Sequence, residues 1–136
     1  MRVQALGHVV LKVRDLERSE VFYADVLGMR AISRIPDPPM TFFRFGTSEN
    51  HHDFALMELS PNAASSPDQN AIGLAHVAFK IGRSVEEFRH ARSVLDASGT
   101  RCLYEADRAF AKSVHVLDPD GNEVELYIEN PGHSEG

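Results

Sequence analysis

The chain has 136 residues, 43% of them apolar and 25% charged, as expected of one soluble globular domain with a buried core. Its net charge of −6 and the scatter of its 14 Lys and Arg residues argue against a phosphate-backbone partner such as nucleic acid.

Residues 5–13 read as a strand, nearly continuously apolar, whose alternation puts His8, Val10 and Lys12 on one face. Asp15 is the expected N-cap of the next helix, and Glu17 suits its positive end. Leu16, Phe22, Tyr23, Val26 and Leu27 form its apolar stripe, and Gly28 stops it. Strands follow over 29–35, 41–45 and 53–59. Between the first two, Pro36-Asp37-Pro38-Pro39 marks a loop without regular structure. Residues 60–70, rich in Ser, Pro, Asn and Asp, read as the hinge between two halves.

The second half repeats the order. A strand over 73–81 leads to Ser84-Val85-Glu86-Glu87, a capping box for a helix with Val85, Phe88, Ala91 and Leu95 on its apolar face. Gly99 ends that helix, and strands are expected over 101–105, 113–117 and 123–128. Asp118-Pro119-Asp120-Gly121-Asn122 is a turn between the last two, and the tail from Asn130 is polar and frayed.

The pattern is βαβββ twice. A half of about 65 residues makes a marginal core by itself, so the two are expected to form one domain over 1–136. The fold class is α+β: paired modules, about 3–60 and 72–130 with a linker over 61–71, forming a cupped, partly closed sheet with helices outside. Cys102, the only cysteine, permits no intrachain disulfide and fits a reducing compartment. The N-terminal apolar run is too short to span a membrane and has no cleavage pattern, so a cytoplasmic location follows by default.

Two stretches look like copies: Gly7-His8-Val9-Val10-Leu11-Lys12-Val13 and Ala75-His76-Val77-Ala78-Phe79-Lys80-Ile81, 68 residues apart. Each half ends in a glutamate on an apolar strand, Glu58 lying 50 residues after His8 and Glu125 lying 49 after His76. Histidines and glutamates recurring on apolar strands are costly to bury unless paired or bound to a metal. His8, His76 and Glu125 are the favoured ligands of one divalent ion, a donor set suited to Fe(II), Mn(II), Ni(II) or Zn(II) that leaves positions open for substrate.

The paired His-Val-x-x-Lys strands, the Asp-Pro-Asp-Gly-Asn turn and the Glu-x-Glu-Leu-Tyr strand resemble the vicinal oxygen chelate superfamily, which includes glyoxalase I, extradiol catechol dioxygenases, methylmalonyl-CoA epimerase, fosfomycin-modifying enzymes and bleomycin-binding proteins. The resemblance covers nearly the whole chain. It implies the paired βαβββ fold, metal ligands at His8, His76 and Glu125, a small-molecule substrate and a homodimer. Asn50-His51-His52-Asp53-Phe54-Ala55-Leu56 further resembles the extradiol branch, which implies Fe(II), a catecholic substrate and His52 as the acid–base residue. That branch usually carries a tyrosine ten residues before the ligand glutamate; here the position is His115, which still offers a hydrogen-bonding group. A second histidine of that branch is replaced within Ala106-Asp107-Arg108-Ala109-Phe110.

A glyoxalase- or epimerase-like lyase or isomerase would instead use Glu58 as a fourth ligand of Ni(II), Zn(II) or Co(II). His52 and Glu58 are about 20 Å apart on a straight strand, so only one would reach the metal unless the strand begins after His52. Phe42, Phe43, Phe45 and Phe54 could line an aromatic pocket or fill the core. A drug-sequestering protein is the third reading, disfavoured by retention of the triad.

Overall fold

The computed structural model describes residues 1–65, 68 and 70–130; the tail beyond Asn130 and part of the linker lie outside the described residues. It comprises two compact units, Met1–Ala64 and Ser65–Gly136. Each has the order βαβββ and one four-stranded mixed sheet, neither closed into a barrel, which is the α+β arrangement of paired modules expected from the sequence.

In the first unit, β1 (Val9–Val13) leads into α1 (Leu16–Glu20), which continues as a π-helical segment, Val21–Val26. Asp15 caps α1 by accepting from the Arg18 N–H. Phe22 and Tyr23 are buried, and Gly28, at φ 77°, ends the segment where a left-handed backbone is needed. The strands β2 (Arg30–Pro36), β3 (Pro39–Arg44) and β4 (Phe54–Glu58) complete a sheet of order β1-β4-β3-β2, with β1 parallel to β4. The proline-rich loop is therefore shorter than expected: Pro36 pairs with Pro39, and only Asp37 and Pro38 turn the chain. Proline is tolerated there because these are the last rungs of the ladder, where a missing N–H costs little. Phe43 and Phe54 are fully buried and belong to the core, not to a pocket.

In the second unit, β5 (Val77–Gly82) precedes α2 (Val85–Ser98), whose box forms as read: the Ser84 hydroxyl accepts from the Glu87 N–H, and Glu87 accepts from the Arg83 N–H and the Ser84 hydroxyl. Phe88 and Leu95 bury the apolar face of α2, and Gly99 closes it at φ 72°. The strands β6 (Cys102–Asp107), β7 (Ala111–Leu117) and β8 (Glu123–Glu129) give the order β5-β8-β7-β6, with β5 parallel to β8. Val124, Leu126 and Ile128 bury one face of β8, leaving Glu123, Glu125 and Tyr127 on the other.

Both first strands begin later than expected, so His8 and His76 each stand one residue ahead of a strand. Pairing sets these limits, since the parallel ladders open at Val9↔Phe54 and Val77↔Val124.

Candidate metal centre

The Asp118–Asn122 turn sets the geometry of the second unit's site. The buried Asp118 carboxylate accepts from the Asp120 N–H (2.9 Å), the Asn122 N–H (2.8 Å) and the Asn122 side-chain amide (3.0 Å). Gly121 supplies the positive φ of 85°. This turn fixes the β7–β8 register, which places His115 directly opposite Glu125.

Four donors converge there. His115 Nδ1 is hydrogen-bonded to Glu123 Oε2 at 2.9 Å, and its Nε2 lies 3.0 Å from Glu125 Oε1. His76 Nδ1 and Nε2 stand 3.7 Å from Glu123 Oε2 and Glu125 Oε1 respectively. Donor atoms of His76, His115 and Glu123 all lie within 4.8 Å of one another. Two imidazoles and two carboxylates at this spacing form a donor set that suits a borderline divalent cation. His115 is nearly inaccessible, 4% exposed, and Tyr104 stacks on its ring at 4.3 Å and 16°. Glu123 and Tyr104 were missed by the sequence reading. The parity of β8 signals Glu123, which shares a face with Glu125. Tyr104 had no such signal, because its place opposite His115 follows a bulge between Cys102 and Tyr104.

The first unit brings His8 and His52 together, their ring centroids 4.4 Å apart. β4 begins after His52, so the His51-His52 pair lies in the preceding loop. Asp53 pins that loop by accepting from the Phe45 N–H (2.8 Å), the Ser48 hydroxyl (2.7 Å) and the Asn50 amide (2.9 Å). Burial would raise the Asp53 carboxyl, but these donors and the Arg44 charge hold it below its usual range. Phe42 packs edge-on to His52 at 4.7 Å. Burial first, then the neighbouring His8 and His51 rings, lowers the His52 pKa, with Asp53 opposing. His52 Nδ1 faces His51 Nδ1 at 2.9 Å.

Glu58 stands elsewhere. In register the counterpart of Glu125 is Ala55, because Val10 pairs with Ala55 as Ala78 pairs with Glu125. Glu58 lies three residues further along β4, on the α1 side with Val13, and its Oε2 accepts from the Leu16 N–H at 2.8 Å. The near-equal spacing in sequence therefore does not carry over to a symmetric placement.

A family profile, Glyoxalase/Bleomycin resistance protein/Dioxygenase superfamily, matches residues 5–126, and the chain belongs to that superfamily. It is 32% identical over 130 residues to biphenyl-2,3-diol 1,2-dioxygenase 3 of Rhodococcus globerulus, covering 92% of this chain and 63% of that protein. It is 32% identical over 133 residues to lactoylglutathione lyase of Haemophilus influenzae, covering 95% of each. The chain spans less than two-thirds of the first dioxygenases that it matches. Among solved structures, a glyoxylase/bleomycin resistance protein/dioxygenase domain from Frankia sp. EAN1pec superposes with a TM-score of 0.78 at 20% identity, covering 97% of this chain and 96% of that one. The curated relatives are enzymes, both dioxygenases and lyases. Among the described residues, no helix is long and apolar enough to cross a membrane.

Proposed function

We propose that the chain is an extradiol-type dioxygenase acting on a catecholic aromatic, with Fe(II) as its metal, His8, His76 and Glu125 as ligands, and His52 and His115 as acid–base and hydrogen-bonding residues. The observation that carries this reading is the contrast between two side chains. His52 is held against His8, whereas Glu58, the fourth ligand required by the alternative, is engaged by the N-terminus of α1. The similarity to a biphenyl-diol dioxygenase supports the same class.

When bound, Fe(II) supplies Lewis-acid and redox chemistry to a vicinal diol and to oxygen. Burial and the neighbouring His8 and His51 rings lower the His52 pKa, which favours the neutral imidazole that a base needs. With Nδ1 turned to His51, its Nε2 takes the proton from a substrate hydroxyl and later returns it. Glu123 and Tyr104 fix the His115 ring, so that His115 offers one hydrogen-bonding nitrogen beside Glu125. A homodimer in a reducing, cytoplasmic setting completes the proposal and is checked by light scattering on the purified protein.

A glyoxalase-like lyase is the second reading, favoured by the match along 95% of both chains to a lactoylglutathione lyase. Oxygen uptake by anaerobically purified, iron-loaded protein with a panel of catechols separates the two. Consumption of one oxygen per diol supports the dioxygenase. No uptake, with turnover of a hemithioacetal by the nickel form, supports the lyase.

A further inference from the structure

We propose that Glu123 is a positioning residue of the metal centre. It fixes the His115 ring through Nδ1, and the ring in turn holds the Glu125 carboxylate where that carboxylate serves as a ligand. The inference rests on the reading of Glu125 as a metal ligand and is the same for the dioxygenase and the lyase.

Strand parity and register bring the three side chains together. Glu123 and Glu125 share one face of β8, and His115 stands on β7 directly opposite Glu125. The His115 ring spans both carboxylates. It is hydrogen-bonded to Glu123 Oε2 at 2.9 Å and lies at ion-pair distance, 3.0 Å, from Glu125 Oε1. Tyr104 stacks on the ring, and His76 packs edge-on to it at 5.3 Å. A ring enclosed in this way keeps the direction that Glu123 gives it.

Glu125 has the opposite need. Three side-chain torsions separate its carboxylate from the backbone, so an unheld Glu125 gives up much rotamer freedom when it takes an ion. His76 Nε2 is 3.7 Å from it, beyond hydrogen-bonding distance. His115 is nearer and almost wholly buried, so solvent screens its contact with Glu125 little.

The duplicated plan shows that the fold does not require this pair. At the corresponding rungs of the first unit, Ala55 stands where Glu125 does and Phe42 stands opposite it where His115 does. The same sheet is thus built with apolar residues at both places, which leaves the imidazole–carboxylate contact to the chemistry of the second unit. The Glu123 oxygen that faces His76, Oε2, is the one that His115 Nδ1 engages, which suits a group that orients a ring more than one that takes an ion.

The test measures Zn(II) affinity by chelator competition on the full-length protein and on Glu123→Ala, Glu123→Gln, His115→Phe and the double variant of Glu123→Ala with His115→Phe. Glu123→Ala and His115→Phe should each weaken binding about 10–100-fold, with the ion still bound at saturation. The double variant should bind no more weakly than His115→Phe alone, because Glu123 acts through the ring. Glu123→Gln should stay close to the parent, since its amide oxygen still accepts from the Nδ1–H. Isotope-labelled histidine NMR spectra of the metal-free protein should show a solvent-protected His115 Nδ1–H that Glu123→Ala loses. Losses that add in the double variant, or a loss in Glu123→Ala or His115→Phe as complete as that in Glu125→Ala, would overturn the proposal; the latter would make that side chain a ligand. Zn(II) uptake untouched by Glu123→Ala would overturn the proposal alone, whereas a parent that takes up no Zn(II) would overturn the metal-centre reading and the proposal with it.

Discussion

At the scale of single residues, some groups act and others hold them in place. His52 acts: His52→Ala is expected to lower kcat by about 10²–10⁴-fold while metal content stays unchanged, and steady-state oxygen uptake with parallel elemental analysis measures both. Glu20 holds. Its carboxylate accepts from Arg34 Nε at 2.9 Å and from the Thr41 hydroxyl, which is buried. Burial would raise the Glu20 carboxyl, but these hydrogen bonds and the Arg34 charge bring it below the ordinary value of 4.5. A carboxyl lowered in the folded state stabilises above its unfolded pKa, and that stability is lost as pH falls through the folded value. Because the Arg34 side chain is 60% exposed, solvent screens much of the pairing. Glu20→Gln should therefore cost only about 1 kcal/mol at pH 7, and the difference from the parent should shrink as the pH falls below the ordinary carboxyl value of 4.5 in urea titrations.

At the scale of elements, the turn at Asp118 governs the site. Asp118→Ala removes a buried acceptor from two backbone N–H groups, and a loss of about 2–3 kcal/mol is expected from denaturant midpoints. The same substitution should weaken metal uptake, since the turn sets the register of Glu123 and Glu125 against β7. Such local features were legible in the sequence: the Ser84–Glu87 box, the Gly99 stop and the Asp118–Asn122 turn each depend on residues within a few positions. Features that depend on pairing were less so. Spacing along the chain counts loops as well as strands, so the matched intervals from His8 to Glu58 and from His76 to Glu125 concealed a three-residue difference in register. The Pro36–Pro39 stretch read as a break because proline disfavours sheets, yet at the last rung of a hairpin it pairs. The repeated histidine and the apolar-strand glutamate singled out His76 and Glu125, whereas Glu123 was passed over although it shares the parity of Glu125, and Tyr104 needed the bulge that only the folded sheet reveals.

At the scale of the whole molecule, a duplicated βαβββ plan gives each unit a histidine one residue ahead of a parallel strand, and the two copies have diverged in what surrounds it. The first sets His8 against His52, on which Phe42 packs in turn; the second surrounds His76 with His115, Glu123 and Glu125. A bound divalent ion should stabilise the fold by mass action, by about 2.7 kcal/mol at a hundredfold excess over Kd, so the melting temperature should rise on adding Fe(II) anaerobically and fall on chelation. The most direct test of the proposed centre is elemental analysis of anaerobically purified protein beside its His8→Ala and Glu125→Ala variants. The expected result is about one iron per chain in the parent and loss of iron from both variants, with circular dichroism unchanged. A parent that takes up no metal on reconstitution, or unchanged metal content in both variants, would contradict it.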